Sequence, residues 1–202
     1  QANRCTASAP LVFAAAINFA LGQILMGVGR KGEAVEAFSS AVKADPRTPD
    51  HWRALAEARA QSGEKNQPLA TLDEAIRSRP RDATLRFVRA QVLGALDRIP
   101  EAQADLREGA RLSPGDPKCH LALAATQLQS GRPQDAVATL HEAIHQRTRD
   151  AGLRVFLAQA LEQDHQSEEA ASQAHAAISL APHDARLVPA AAEILRRAGK
   201  AS

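Results

Sequence analysis

Small residues recur at one fixed interval along this chain: Gly22, Ala56, Ala90, Ala124, Ala158 and Ala192 stand thirty-four positions apart. Ala41, Ala75, Gly109, Ala143 and Ala177 repeat the interval in a second phase. Pro46, Pro80, Pro114 and Pro182 repeat it in a third, with Thr148 in the remaining slot. Self-similarity at this period means stacked copies of one supersecondary unit, each too short to bury its apolar face alone. It settles the architecture before any local propensity is weighed. It also narrows function, because a repeat scaffold acts by presenting a surface.

The composition agrees with helices. Apolar residues make up 45% of the chain but aromatics only 3%, with no Tyr, so the core is built from Ala, Leu, Val and Ile. Such a core suits closely packed helices better than a sheet, which favours aromatic and β-branched residues. The net charge is +2, with both signs mixed along the chain. Nucleic acid is therefore not an expected partner, since it requires a concentrated basic face. Cys5 and Cys119 have no spacing that suggests a zinc site or redox pair, and they read as a free thiol and a packed one. The chain starts at Gln1 without an initiator Met, as expected for a piece of a longer protein.

Placing the prolines near the end of each unit gives five copies, 15–48, 49–82, 83–116, 117–150 and 151–184. A lead-in, 1–14, precedes them, and a final helix, 185–202, begins a sixth copy. Gly22 and Ala41 and their equivalents let two antiparallel helices approach closely, while Leu21, Leu55, Leu123 and Leu157 fill the seam between them. Gly29, Gly63, Gly131 and Gly199 mark a turn at positive φ. Pro100 and Pro133 fall where a second helix begins, and Pro68 in that helix's first turn. The terminal prolines stop the second helix. Departures from the pattern fall at Asp97 and His165 in the turn slot, Arg89 in the seam and Thr148 in the final proline slot. These predict less regular third, fourth and fifth copies. The last helix, roughly 187–198, carries Glu193, Arg196 and Arg197 and reads as a solvated cap.

The order Trp52, Leu55, Ala56, Gly63, Leu72, Ala75, Pro80 resembles the tetratricopeptide repeat, as does Leu21, Gly22, Gly29, Ala34, Phe38, Ala41, Pro46. The resemblance covers residues 15–202. It implies an all-α, right-handed α-solenoid of five helix-turn-helix repeats with a C-terminal capping helix. It implies a non-enzymatic scaffold or adaptor that binds a protein or peptide partner without a cofactor. In that family, places two, five, nine, twelve and thirteen of each unit face a concave groove. Carried over, the fifth place holds Phe19, Arg53, Phe87, Leu121 and Val155, and the ninth Gln23, Glu57, Gln91, Ala125 and Gln159. An apolar groove with amide rungs suits an extended peptide, because an amide both donates and accepts. The glutamines fit an ordinary solvated helix face equally well. The carboxylate clamp of chaperone-binding members does not fit, since Arg53 is followed by Glu57 and the later groove is apolar.

His141, Glu142 and His145 spell H-E-x-x-H, a metalloprotease signature in which two imidazoles one turn apart hold zinc. The repeat frame argues against it. Equivalent positions hold Ser39, Asp73, Arg107 and His175 in one slot and Lys43, Arg77, Arg111 and Ser179 in the other. Both slots are polar in every copy, as on a solvated face. No third ligand follows, so neither a metal nor a catalytic residue is expected. His51, His120 and His183 lie near helix starts, where capping or exposure is expected. No phosphate loop or nucleophile elbow is present.

Between Arg4 and Arg30 the chain carries no formal charge. That length matches the roughly 20 apolar residues of a membrane span, yet it keeps the repeat phase and contains Asn18 and Gln23. A first repeat helix is the favoured reading, in a soluble region with the cytoplasm preferred. Its outer face then needs cover from a preceding region, another copy or a membrane, and self-association is the sharper expectation. An assembly or membrane-associated module that oligomerises through this repeat is one alternative to the peptide-binding scaffold. The regulatory repeat region of a larger bacterial enzyme is another.

Overall fold

The computed structural model describes residues 8–62, 67–146 and 149–201, and among them every regular element is a helix. They run α1 (Ser8–Gly27), α2 (Lys31–Ala44), α3 (Pro49–Gln61), α4 (Gln67–Ser78), α5 (Ala83–Ala95), α6 (Ile99–Leu112), α7 (Pro117–Gln129), α8 (Pro133–Gln146), α9 (Ala151–Gln163), α10 (Ser167–Leu180) and α11 (Leu187–Ala201). The chain divides within α6 into two compact units, 1–105 and 106–202. Cys5, Gly63 and Thr148 lie outside the described residues.

Aspartates start several helices. The Asp82 carboxylate accepts from Thr84 N at 3.0 Å and Leu85 N at 3.2 Å, ahead of α5. Asp116 and Asp150 accept from Lys118 N at 3.1 Å and Leu153 N at 3.0 Å, ahead of α7 and α9. Asp184 accepts from Arg186 N at 2.8 Å and Leu187 N at 3.0 Å, at the start of α11. Each satisfies helix amides that have no intrahelical partner, and each anion meets the positive end of the helix dipole. Pro49 and Pro117 begin α3 and α7, where a missing amide is harmless.

The four described turns within helix pairs share one geometry. Arg30 N donates to Leu25 O, Arg98 N to Leu93 O, Arg132 N to Gln127 O and Gln166 N to Leu161 O, each at 2.9 Å. This is the Schellman ending, which needs a left-handed residue just past the helix. Gly29 and Gly131 supply it at φ 79° and 69°, and Asp97 and His165 adopt it without being glycine, at 59° and 61°. The third and fifth copies thus turn as regularly as the first and fourth, contrary to the irregularity expected there. Gly199 is no turn residue: it lies inside α11.

In the first unit the core gathers Leu25, Phe38, Trp52, Leu55, Leu72, Leu85 and Val88 with small alanines between them. In the second it gathers Leu140, Leu153, Leu157, Leu161 and Ile194. Ala41, Ala56, Ala75, Ala124 and Ala158 are fully buried, as close helix approach requires. Two small-residue and seam assignments need correction. Leu21 is 45% exposed, whereas Leu55, Leu123 and Leu157 are buried. A seam residue also faces the second helix of the preceding unit, and no described helix precedes α1. Ala192 is exposed and Ala191 buried, because no second helix follows α11 among the described residues.

Arg89, in the seam slot of the third copy, is not a packing fault. Its Nε and Nη2 donate to Asp105 Oδ2 and Oδ1, both at 2.6 Å, and its Nη1 pairs with Asp73. Arg86 Nη1 reaches Asp105 Oδ1 at 3.1 Å. Asp105 is buried at 3% exposure, so the two guanidinium groups neutralise a carboxylate that would otherwise be stranded.

Candidate partner-binding surface

The first helices of each pair carry the positions singled out by sequence. In the first unit Phe19, Arg53 and Phe87 are half-buried and Gln23, Glu57 and Gln91 are exposed. Phe19 is no free groove aromatic. Its ring packs against Phe38 and His51, at centroid distances of 5.7 and 5.2 Å. Arg53 is occupied within α3, with Asp50 at 3.2 Å and Glu57 at 3.0 Å. Most of this face is therefore internally paired, with exposed amides at Gln23 and Gln91.

In the second unit the same face opens into a cleft of about 610 Å³ between α7, α9 and α11. Ala125 and Gln159, from the ninth place, line it together with Leu128, Phe156, Gln163 and Arg197. Leu128 holds the twelfth place of its copy, and Gln163 and Arg197 the thirteenth of theirs. Leu121 is half-buried nearby on α7, and Val155 is buried at 5%. Phe156, at the sixth place, is outside the groove positions that the sequence pattern marks; its helical neighbour Val155 turns into the core and leaves Phe156 to the cleft. The rim is charged but balanced, since Arg197 faces Glu162 at 3.7 Å and donates to Glu193 at 2.9 Å. The two arginines beside Glu193 hold its carboxyl well down, to about 2. Apolar walls, amide side chains and a tethered cation can take an extended polypeptide.

The H-E-x-x-H residues point to solvent. His141, Glu142 and His145 are all exposed, and His141 Nε2 lies 3.6 Å from Glu169 rather than beside a metal-binding partner. Among the described residues no three metal-ligating side chains converge. Of the three histidines near helix starts, one is exposed as expected and two depart from expectation. His183 is exposed, but His51 is buried with its Nδ1 3.1 Å from Asp45 O, and His120 is 2% exposed. Cys119 is a buried free thiol, and burial pushes it up to about 11.

Two tetratricopeptide repeat models match the chain, one over residues 19–65 and 69–117 and the other over 95–159. No curated protein matches. Among solved structures, a thermophilic tetratricopeptide repeat protein of Thermus thermophilus is similar over 90% of this chain and 99% of its own, with 24% identity and a TM-score of 0.61. A protein from Parabacteroides merdae is similar over 93% and 74%, with 15% identity and a TM-score of 0.64. YrrB, described as having an unusual peptide-binding site, is similar over 91% and 90%, with 14% identity and a TM-score of 0.56. At these identities the structures establish a shared all-α solenoid fold. With the matched repeat models, they show that the chain belongs to the tetratricopeptide repeat family.

Proposed function

We propose that this protein is an interaction scaffold that binds an extended segment of a protein partner on its first-helix face. The cleft between α7, α9 and α11 carries the reading. It brings together ninth-, twelfth- and thirteenth-place residues, with an apolar wall at Leu128 and Phe156 and amides at Gln159 and Gln163. A similar fold in YrrB has a peptide-binding site. Peptides selected by display on this chain, tested against Gln159→Ala with Arg197→Ala, provide the test. Both residues reach solvent, so helicity should persist while affinity falls about tenfold, a loss of about 1.4 kcal/mol. Unchanged affinity would sink this placement.

A second reading rests on α1. Phe13 is 70% exposed and Ile24 and Val28 are each 63%, on or just past a helix without a charged residue. This helix is long and apolar enough to cross a membrane. A contiguous apolar face of this kind marks an association surface, and self-assembly through α1 is the alternative role. Light scattering should then show concentration-dependent association that Ile24→Glu abolishes. A strict monomer at high concentration removes this reading.

A further inference from the structure

We propose that the cleft between α6, α7 and α8 binds a carboxylate from outside the chain, that of an aspartate or glutamate side chain. The cleft measures about 320 Å³ and is lined by Arg107, Arg111, His120, Leu123, Thr139 and Glu142, with Ala110 in its wall. It lies apart from the first-helix cleft, and its chemistry is cationic.

The preceding copy shows what such a cleft holds. There Arg86 and Arg89 grip the buried carboxylate of Asp105, with Asp73 beside them. Thirty-four residues on, His120 stands for Arg86, Leu123 for Arg89, Thr139 for Asp105 and Arg107 for Asp73. The internal carboxylate is gone and a cation has replaced one acid. In the next copy the equivalent polar tie is closed again, Arg154 Nη1 donating to Gln173 Oε1 at 2.8 Å. The fourth copy is the open one.

One buried atom shows that the opening is unsatisfied. The His120 side chain is 2% exposed, and its Nδ1 is buried with no hydrogen-bond partner among the described residues. A buried ring nitrogen left so is costly, and native proteins rarely leave one without purpose. Arg107 is exposed beside this cleft and makes no ion pair or hydrogen bond among the described residues, so its guanidinium is free to turn to an incoming anion. Thr139 does not fill the gap, because its hydroxyl is tied to Gln127 Oε1 at 3.0 Å.

The other charges select the ligand. Arg111 is partly neutralised by Glu108 at 2.8 Å, and Glu142 adds one negative charge to the lining. The balance suits a planar monoanion that accepts two parallel donors, as Asp105 does. It disfavours a dianion, which Glu142 would repel. Ala110 and Leu123, 8% and 5% exposed, keep one wall apolar and strengthen the charge interaction.

The test is titration of the intact chain with N-acetyl-aspartate N-methylamide, followed through the His120 ring resonances. Its asparagine analogue, acetate and inorganic phosphate are run in parallel. The aspartate probe should give a saturable shift and the asparagine analogue none. Arg107→Gln should weaken binding about tenfold, and Glu142→Gln should strengthen it. Thr139→Asp, which restores the internal carboxylate, should abolish it. Tighter binding of the aspartate probe than of acetate identifies a polypeptide side chain as the source, and equal binding identifies any small carboxylate and overturns the assignment to a side chain. The proposal is also overturned if no probe saturates at tens of millimolar, if phosphate binds more tightly than the carboxylates, or if Arg107→Gln leaves the shift unchanged.

Discussion

Gly22 lies against Phe38: a Cβ placed on that glycine would sit 2.6 Å from Cε1 of the ring. Real Cβ atoms do not tolerate this approach, and Phe38 is itself 2% exposed and unable to retreat freely. Gly22→Ala would gain about 1 kcal/mol of helix propensity, but overpacking costs roughly 1–3 kcal/mol. The expected result is a net loss of about 1 kcal/mol in urea denaturation. Gly199→Ala is the control, since nothing lies within 4 Å of a Cβ there and α11 is helical. It should gain up to about 1 kcal/mol. A stabilising Gly22→Ala would show that α1 does not pack on α2 as described.

The left-handed turns predict a reciprocal pair of effects. Asp97 and His165 hold positive φ that costs an L-residue roughly 1–2 kcal/mol. Replacement by glycine relieves it but adds unfolded-state freedom, so Asp97→Gly and His165→Gly should each gain a few tenths to about 1 kcal/mol. Gly131→Ala should lose about 1 kcal/mol by the same strain. Thermal unfolding resolves these shifts. If His165→Gly were destabilising, a role for that side chain beyond the turn would be required.

The thirty-four-residue spacing made the helix pairs, their small-residue contacts and the solvated H-E-x-x-H face legible in advance. What it left unread depends on neighbours. Asp82, Asp116, Asp150 and Asp184 share one phase and cap helices, a signal visible in the sequence as an aspartate just before each first helix. Asp97 and His165 looked like broken turns because glycine is the usual solution, yet backbone hydrogen bonds impose the conformation on other residues. Leu21 read as seam from its phase, but burial requires a preceding helix that the phase does not supply. Arg89 read as a defect because Asp73 and Asp105, sixteen residues to either side, meet it only in three dimensions. The second-unit cleft was partly visible, through Gln159 and Ala125, while Phe156 needed the helix rotation to be known.

The ion cluster gives the next expected outcome. Asp105→Asn keeps the shape but strands Arg86 and Arg89 without their shared carboxylate. Breaking a buried pair this way costs about 3 kcal/mol; Arg89 is 23% exposed, so some water reaches it and the loss should fall at the lower end. Arg89→Leu combined with Asp105→Thr restores residues found in the equivalent slots at Leu123 and Thr139. Replacing a buried pair by packed residues is commonly neutral or favourable; Arg86 still loses its carboxylate but is 22% exposed and can turn to water, so the double variant should recover part of the loss. Denaturant midpoints of the single and double variants decide it. A double variant as unstable as Asp105→Asn would mean that the cluster holds the third copy in a geometry leucine cannot reproduce.

The last helix should respond to acid before the rest of its unit. Glu193 accepts hydrogen bonds from Arg196 and Arg197, which hold its carboxyl at about 2 in the fold. An unfolded glutamate titrates near about 4.3. The folded value is the lower one, so this contribution is present above about pH 4.3 and is lost as pH falls towards about 2. Asp184, at the start of the same helix, is also held low, by the Leu187 and Arg186 amides, and acts in the same direction. Both groups are exposed, so salt should weaken the effect. Amide exchange in α11 should therefore accelerate between about pH 4 and about pH 2 relative to α9, and Glu193→Gln should flatten that dependence. If α9 and α11 lose protection together in wild type and variant alike, the helix is held by Ala191 and Ile194 in the core rather than by its surface charges.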